Sequence, residues 1–236
     1  KNIGIVGDRI FAFAKDLDLD NAQLFEKNPE ERKGKWNKVL TLKNSPVLNK
    51  YNFLYKENRL TLTFKDKKIL TIDINELSDH QLLSNKIIEL ENSLKEPIIF
   101  MKNEEFPFFD TSISNKVDFL NSVSLLNIQS INDFHKKIDK KIEMSRFRGN
   151  ICIDGIKPWE EREWVGKIIK INNISFKVEK NIPRCVAINL KPTTDDNSLN
   201  LLQSLKKNYN HFEMGIYLTA LDGGEINLGD KVEIII

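Results

Sequence analysis

The sequence predicts a mainly β protein of the α+β class, and three observations support this prediction. Short stretches of alternating apolar and polar residues recur along most of the chain, separated by turn-forming residues. A few other stretches repeat apolar residues with the period of an α-helix. No apolar run approaches the roughly 20 residues that are needed to cross a bilayer. Many short strands at regular spacing are typical of a barrel or a sandwich.

Strand signals dominate the first section of the chain. The stretch IGIVGDRIFAFAKD alternates and passes through a glycine turn, which predicts a half-buried strand. Four further stretches have the same pattern: KVLTLK, NFLYKE, RLTLTF and KKILTIDI. The tripeptide KEN predicts a tight turn between two of them.

Helical periodicity begins after this section. The segment SDHQLLSNKIIELENSLK places most of its apolar residues on one helical face, and SINDFHKKIDKKI and NSLNLLQSLKKNY predict two further helices. Strand signals return after Met144, in NICIDG, KIIKINNISFKVEK, RCVAINL, GIYLTAL and KVEIII. The change of pattern near residue 80 predicts two domains, over residues 1–80 and 81–236.

The charge balance and the cysteine count exclude several classes of protein. The net charge is +2 with both signs mixed, which gives no electrostatic footprint for a nucleic-acid partner. The first residues carry charges within their apolar part, unlike a secretory signal, and they lack an initiator Met, so we expect a truncated start. Two cysteines cannot build a disulfide scaffold or a zinc site by themselves. We therefore expect a cytoplasmic monomer without a membrane partner.

The stretch NIPRCVAINLKPTT places Cys185 directly after Arg184. From the residues alone, three explanations of this thiol stay open: packing, nucleophilic chemistry and metal ligation. The other cysteine, Cys152, lies between two isoleucines in NICIDG, and the alternation predicts that it packs in the core. The three histidines are scattered and lack the spacing of metal ligands.

The order of four motifs resembles the MOSC domain, a family named after the C-terminal domain of molybdenum cofactor sulfurase. The motifs are FRGNICIDG, PWEEREWVGKIIKI, PRCVAINLKPTT and MGIYLTALDGGEINLGDKVEI. Near the start, VGDRIFAFAKD resembles the N-terminal domain of two-domain members, which include the mitochondrial amidoxime-reducing component and its bacterial relatives. AINLKPTT makes the sequence most similar to a bacterial member. The resemblance implies an N-terminal β-barrel-like domain followed by a MOSC β-barrel with a few helices.

The resemblance also implies a molybdenum cofactor, with Cys185 as the protein's ligand to the metal. A soft thiolate suits molybdenum in a high oxidation state, and the neighbouring Arg184 favours the thiolate over the thiol. Family members begin with a strand that carries a Val-Lys-Gly or Lys-Ser element against the cofactor phosphate. Nothing before GDR matches this element, so the chain is truncated or binds the phosphate differently.

Cationic and amide side chains are implied to hold the molybdopterin. Arg9 in GDR matches an arginine that the family places against the cofactor, and Arg148 and Asn150 in FRGN match a second cofactor-facing pair. A guanidinium binds phosphate or pterin edges with two parallel hydrogen bonds. Thr41 and Lys43 in LTLKNSP align with a Thr-x-Arg segment, where lysine keeps the charge but loses the planar fork.

The C-terminal edge of the implied site contains further candidates. The resemblance implies catalytic roles for Tyr217 in GIY and for His211, which could donate a proton or hold a water. A surface or satisfied histidine is an equal alternative for His211. Arg184 and Asn189 are implied to contact the cofactor and shape the loop beside the metal. In this loop Lys191 replaces the family's aspartate, so an inherited acid role is not expected there.

Three functions follow as hypotheses. The first is a molybdenum-dependent oxidoreductase that reduces a small N-hydroxylated compound, with electrons from a separate electron-transfer protein of iron–sulfur, haem or flavin type. The second is a sulfur-carrier or cofactor-handling module that holds a persulfide on Cys185 and has no reductase turnover. The third is a β-barrel that keeps the fold and has lost the cofactor.

Overall fold

A computed structural model describes residues 4–94, 97–109 and 117–235. The chain divides into two compact units, which we call the N-terminal and the C-terminal unit. The N-terminal unit comprises Val6–Leu120 and Pro192–Asp195, and the C-terminal unit comprises Lys1–Ile5, Asn121–Lys191 and Asp196–Ile236. The boundary inferred near residue 80 lies inside a helix of the N-terminal unit, so the change from strand to helix pattern does not coincide with the division between compact units.

The described part of the N-terminal unit contains two antiparallel sheets and two helices. The elements are β1 (Phe11–Lys15), α1 (Leu19–Lys27), β2 (Tyr51–Lys56), β3 (Arg59–Phe64), β4 (Lys67–Asp73), α2 (Leu77–Leu90) and β5 (Ile98–Lys102). Strands β1 and β5 pair with each other, and β2, β3 and β4 form a three-stranded sheet in that order. The predicted strands NFLYKE, RLTLTF and KKILTIDI are confirmed as β2 to β4.

Helix α1 was not predicted from the sequence. Asp18 caps its first turn, because the carboxylate accepts a hydrogen bond from the Asn21 N–H at 2.8 Å. Ala22 and Phe25 are its buried residues. With only two buried positions in nine residues, the apolar repeat is too sparse to stand out in the sequence.

The stretch KVLTLK does not form the predicted strand. Only Val39 makes a β-bridge, with Ala14 of β1, and the chain then turns. Asn44 holds the turn, since its side-chain oxygen accepts from the Thr41 N–H at 2.8 Å and its amide donates to the Val39 carbonyl at 2.8 Å. The strand prediction was wrong here because a polar side chain takes up the backbone groups that a neighbouring strand would need.

The described part of the C-terminal unit contains one six-stranded sheet and two helices. The elements are β6 (Val123–Asn127), α3 (Ile128–Ile138), β7 (Ile151–Ile153), β8 (Ile168–Ile171), β9 (Ile174–Pro183), α4 (Leu201–Tyr209), β10 (Glu213–Ala220) and β11 (Val232–Ile234). The strand order is β11-β8-β9-β10-β6-β7, and every neighbouring pair is antiparallel except β6 and β7. The prediction of a mainly β, α+β fold with few helices is confirmed, and the large sheet curls as a half-barrel.

The two faces of the large sheet have different surroundings. Leu125 of β6 and Ile216 and Leu218 of β10 belong to one hydrophobic core cluster, together with Trp164. Because side chains alternate along a strand, Tyr217 lies on the opposite face of β10. It is paired across the sheet with Ser124 of β6 and Lys180 of β9. This second face therefore carries polar side chains around a buried tyrosine, while Leu126 of β6 packs there into a second hydrophobic cluster with residues of α3 and α4.

Two sequence predictions in this unit were wrong. The stretch RCVAINL leaves the sheet and forms a short 3₁₀ helix over Val186–Asn189. Cys152 lies in β7 as expected, but the alternation places Ile153 in the core and leaves the thiol of Cys152 exposed. Alternation thus identified the strand but not which face of it is buried.

Within the described ranges, no helix combines the length and the apolar character that a membrane span requires.

Candidate functional site

Cys185 lies where the longest strand of the sheet ends. Strand β9 finishes at Pro183, and Cys185 is the extended residue that precedes the 3₁₀ helix Val186–Asn189. Its carbonyl accepts the hydrogen bond from the Ile188 N–H at 3.2 Å, and the residue itself is exposed. An exposed thiol does not fill a core, so packing is excluded as the explanation of this cysteine.

Arg184 is the residue that fixes this strand end. Its Nε donates to the Met214 carbonyl at 2.8 Å, and its Nη1 donates to the Phe147 carbonyl at 2.8 Å. Burial lowers the pKa of Arg184 to about 10, while the negative forms of Tyr217 and Cys185 act in the opposite direction. The guanidinium therefore stays charged at neutral pH and places a fixed positive charge near the Cys185 side chain.

Arg148 braces the loop that follows Cys185. Its Nη1 donates to the carbonyls of Arg146 at 2.8 Å and of Ala187 at 2.9 Å, so it ties the FRGN turn to the 3₁₀ helix. Desolvation lowers the pKa of Arg148, and the thiolate of Cys185 opposes this change. Two guanidinium groups thus interact electrostatically with one exposed cysteine.

Tyr217 completes this group on the polar face of the sheet. It is buried in β10, and its charged form interacts with Arg184. Next to it across the sheet, Ser124 donates both its N–H, at 3.0 Å, and its hydroxyl, at 2.7 Å, to the side-chain oxygen of Asn150. The structure therefore brings Cys185, Arg184 and Tyr217 together, and it uses the Asn150 oxygen to hold β6.

His211 lies in an aromatic cluster. Its ring centroid is 5.6 Å from that of Trp159 and 5.9 Å from that of Tyr209, and its Nδ1 accepts from the Glu213 N–H at 3.2 Å. Burial and the nearby Arg162 lower the pKa of His211. The structure thus supports the satisfied histidine, the alternative that the sequence left open.

Arg146 is a residue that sequence reasoning missed. It is 1% exposed and donates to Glu143 at 2.7 Å, to the Asn189 carbonyl at 2.6 Å and to Asp196 at 2.8 Å. Lys191, which stands in place of the family's aspartate, pairs with the same Glu143 at 3.0 Å. The side-chain oxygen of Asn189 accepts from the first turn of α4, so this amide fixes the loop. No local signal marks Arg146 as buried, because two of its three partners, Asn189 and Asp196, lie 43 and 50 residues away in the sequence.

We expect the ion pairs of Glu143 to make stability depend on acid pH. Hydrogen bonds from Arg146 and Lys191 lower the pKa of Glu143 from 4.5 to about 2. Since the folded pKa is below the unfolded one, the stabilisation is complete above 4.5 and is lost as the pH falls toward 2. Glu143→Gln should therefore reduce the free energy of unfolding at pH 7 by about 1 kcal/mol, a figure that allows for partial solvent screening.

Urea denaturation of both proteins between pH 7 and pH 3 measures this difference, which should shrink as the pH falls. Glu225→Gln, at an exposed position, is the control and should show no such trend. A difference for Glu143→Gln that stays constant over the whole range would contradict the assignment.

Three of the predicted cofactor residues belong to the N-terminal unit. Arg9 adopts a left-handed backbone (φ 54°), pairs with Asp8 at 2.7 Å and lies 4.8 Å over the ring of Phe109. Thr41 begins the turn that Asn44 holds, and Lys43 is exposed in that turn. Their role in cofactor binding stays a prediction.

The donor set around Cys185 fits a cofactor that brings its own ligands. Within residues 4–94, 97–109 and 117–235, no group of three or more His, Cys, Asp or Glu side chains could hold a metal ion. A molybdenum cofactor supplies a dithiolene, so it needs one thiolate from the protein rather than a cluster. An exposed cysteine next to two fixed cations meets that need. Fold and site together define a mainly β protein with an exposed cysteine at a strand end, beside two fixed cations.

The comparison with protein families agrees with this class. Residues 119–233 match the model of the MOSC domain, so this part of the chain is a MOSC domain and the resemblance seen in the sequence is confirmed there. The match covers Cys185, both arginines that act on it, and Tyr217.

Curated relatives come from two groups of proteins. The chain is 26% identical over 159 residues to the mitochondrial amidoxime reducing component 2 of Bos taurus, a match over 62% of this chain and 46% of that protein. It is 30% identical over 127 residues to the molybdenum cofactor sulfurase of Bombyx mori, covering 50% of this chain and 14% of that protein. It is 32% identical over 121 residues to the molybdenum cofactor sulfurase of Drosophila willistoni, covering 49% of this chain and 14% of that protein. The chain thus spans less than half the length of each of these relatives.

Proposed function

We propose that this protein binds a molybdenum cofactor through Cys185 and reduces N-hydroxylated small molecules with electrons from a separate protein. The observation that carries the proposal is the exposed Cys185 that interacts electrostatically with two fixed guanidinium groups, within the segment that matches the MOSC domain. The similarity to an amidoxime reducing component supports the reductase class. The electron donor would be a protein of iron–sulfur, haem or flavin type.

Each residue of the site has a separate task in this proposal. Cys185 provides the thiolate, and the end of β9 presents it to solvent. Arg184 and Arg148 hold the flanking loops through main-chain carbonyls and supply positive charge. Tyr217 provides a hydroxyl on the polar face of the sheet that can hold or donate a proton. When bound, the cofactor supplies the two-electron redox chemistry.

Metal analysis tests the ligand assignment, and the two exposed cysteines provide a matched control. In a host that makes the cofactor, the wild type should carry about one equivalent of molybdenum, and Cys185→Ser should lower this at least about tenfold, because the soft donor is lost. Cys152→Ser removes the other exposed thiol and should retain the metal. Equal molybdenum in the wild type and in Cys185→Ser would overturn the proposal.

A reductase assay tests the second half of the proposal. Loaded wild-type protein with a chemical electron donor should convert an amidoxime into the amidine, and Cys185→Ser should not. Loaded protein that reduces no N-hydroxylated compound under these conditions would leave cofactor binding intact and refute the reductase.

The similarity to molybdenum cofactor sulfurases favours a second candidate function. In this alternative, Cys185 carries a persulfide and passes sulfur or cofactor on without reductase turnover. The exposed position of the thiol also suits such a role. Mass spectrometry that finds one additional sulfur on Cys185, in protein without reductase activity, would select this candidate.

A further inference from the structure

The N-terminal unit contains a cavity that the proposed function does not use. Its volume is about 330 Å³, and its wall consists of apolar side chains with Thr41 as the polar exception. An apolar cavity of roughly 150 Å³ is known to accept benzene, so this one is large enough for a fused two-ring molecule.

Aromatic side chains form a fixed wall of the cavity. The ring centroids of Phe11 and Phe100 are 5.4 Å apart and nearly parallel, and Phe13 lies 5.5 Å from Phe100 and 6.1 Å from Phe53. The antiparallel pairing of β1 with β5 holds three of these rings in register. Phe11 and Phe53 are only half-buried, so the cavity is open to solvent. Preformed, open and aromatic cavities are typical of small-molecule sites.

Two hydrogen-bond donors line this cavity and have no acceptor among the described residues. The indole N–H of Trp36 makes no hydrogen bond there, although the residue is half-buried. The hydroxyl of Thr41 accepts weakly from the Asn44 N–H at 3.4 Å, and its own hydrogen is not donated to a described residue. A ligand with one acceptor atom would complete either donor.

We propose that this cavity binds a flat, uncharged aromatic molecule with a hydrogen-bond acceptor. The ligand's ring system would stack on the aromatic wall, and its acceptor atom would face Thr41 or Trp36. Among the described residues no charged side chain lines the cavity, so an ionised ligand would lose its hydration without gaining a partner. Thr41 is also a predicted cofactor residue, but none of the residues given a role under the proposed function lines this cavity.

Three ligands of similar shape test the proposal on the full chain. Quinoline carries an acceptor, naphthalene has none, and 2-naphthoate is charged. In calorimetric or NMR titrations, quinoline should bind with a Kd of about 0.1 mM. Naphthalene should bind about fivefold more weakly, and naphthoate should not bind measurably.

Variants assign the binding to the cavity. Ala12→Leu places a larger side chain in the lining and should weaken quinoline binding at least about tenfold. Thr41→Val keeps the shape and removes the hydroxyl, so it should weaken quinoline about fivefold and leave naphthalene unchanged. If Ala12→Leu does not fold, Thr41→Val alone tests whether the ligand binds in this cavity. Leu54→Ala, at an exposed position outside the lining, is the control and should bind like the wild type.

Several outcomes would overturn the proposal. They are no binding of quinoline to the wild type, equal binding of quinoline and naphthoate, and unchanged quinoline binding by both folded lining variants.

Discussion

Replacing Gly215 with alanine is expected to destabilise the C-terminal unit by about 3 kcal/mol. Gly215 lies in β10 with φ +76°, a conformation that costs a residue with a Cβ about 1 kcal/mol. A Cβ there would also overlap the Leu125 carbonyl of the neighbouring strand and lie 2.7 Å from Leu126 Cδ2. Because the first obstacle is backbone, β10 and β6 would have to separate.

The same substitution should disturb the candidate site, since the new Cβ would lie 3.4 Å from Arg184 Nη2. Urea denaturation followed by tryptophan fluorescence measures the stability, and metal content measures the site. Gly155→Ala is a matched control, because Gly155 has a similar φ of +85° but nothing within 4 Å of an added Cβ. It should cost only the backbone part, about 1 kcal/mol. If both variants lose the same stability, the close approach of the strands is not what requires glycine.

Replacing Arg32 with leucine is expected to destabilise the N-terminal unit by about 4 kcal/mol. Arg32 is completely buried, and its guanidinium donates to four carbonyls, those of Phe25, Glu26, Phe106 and Pro107, at 2.6 to 3.0 Å. It also lies 4.3 Å over the ring of Phe108. Burial lowers its pKa to about 10, so the group is charged at neutral pH and holds two distant segments together. Leucine would leave buried carbonyls without donors.

Thermal unfolding by circular dichroism, with hydrogen exchange over residues 25–32 and 106–108, tests this expectation. Arg32→Lys keeps the charge but cannot reach four carbonyls in a planar arrangement, so it should lose more than half as much. Arg59→Leu removes an exposed arginine of the same unit and should change stability by less than about 0.5 kcal/mol. A loss below about 1 kcal/mol for Arg32→Leu would show that water replaces the guanidinium.

The structure shows hydrogen-bond partners for Arg184 and Arg148 that the sequence did not predict. A family resemblance presents Arg184 and Arg148 as groups that contact a cofactor. Here both donate to main-chain carbonyls and thereby shape the loops around Cys185. Positive charge still reaches the thiol, because the guanidinium groups remain close enough to interact with it. Fixed cations of this kind need no reorganisation when an anionic group arrives.

The sequence by itself determined the secondary structure wherever alternation had a partner strand. The predicted strands around β8, β9 and β10 were confirmed because their apolar residues also meet a common core. It also identified Cys185 as the cysteine of a motif and Arg184 as its neighbour, since adjacency in the chain needs no fold. The period of the apolar residues and the identity of adjacent residues are properties of the sequence itself, so they can be read without the fold.

Only the tertiary structure decided which side chains are buried and which groups form hydrogen bonds with each other. KVLTLK and RCVAINL have strand patterns, yet one is captured by Asn44 and the other leaves the sheet as a 3₁₀ helix. Cys152 alternates like a core residue but faces outward, and Arg32 and Arg146 look like surface charges but are buried. The physical reason is that the burial of these side chains depends on partners dozens of residues away, which a local pattern cannot contain. The capture of KVLTLK by Asn44 is local, but alternation does not report the hydrogen bonds of a polar side chain.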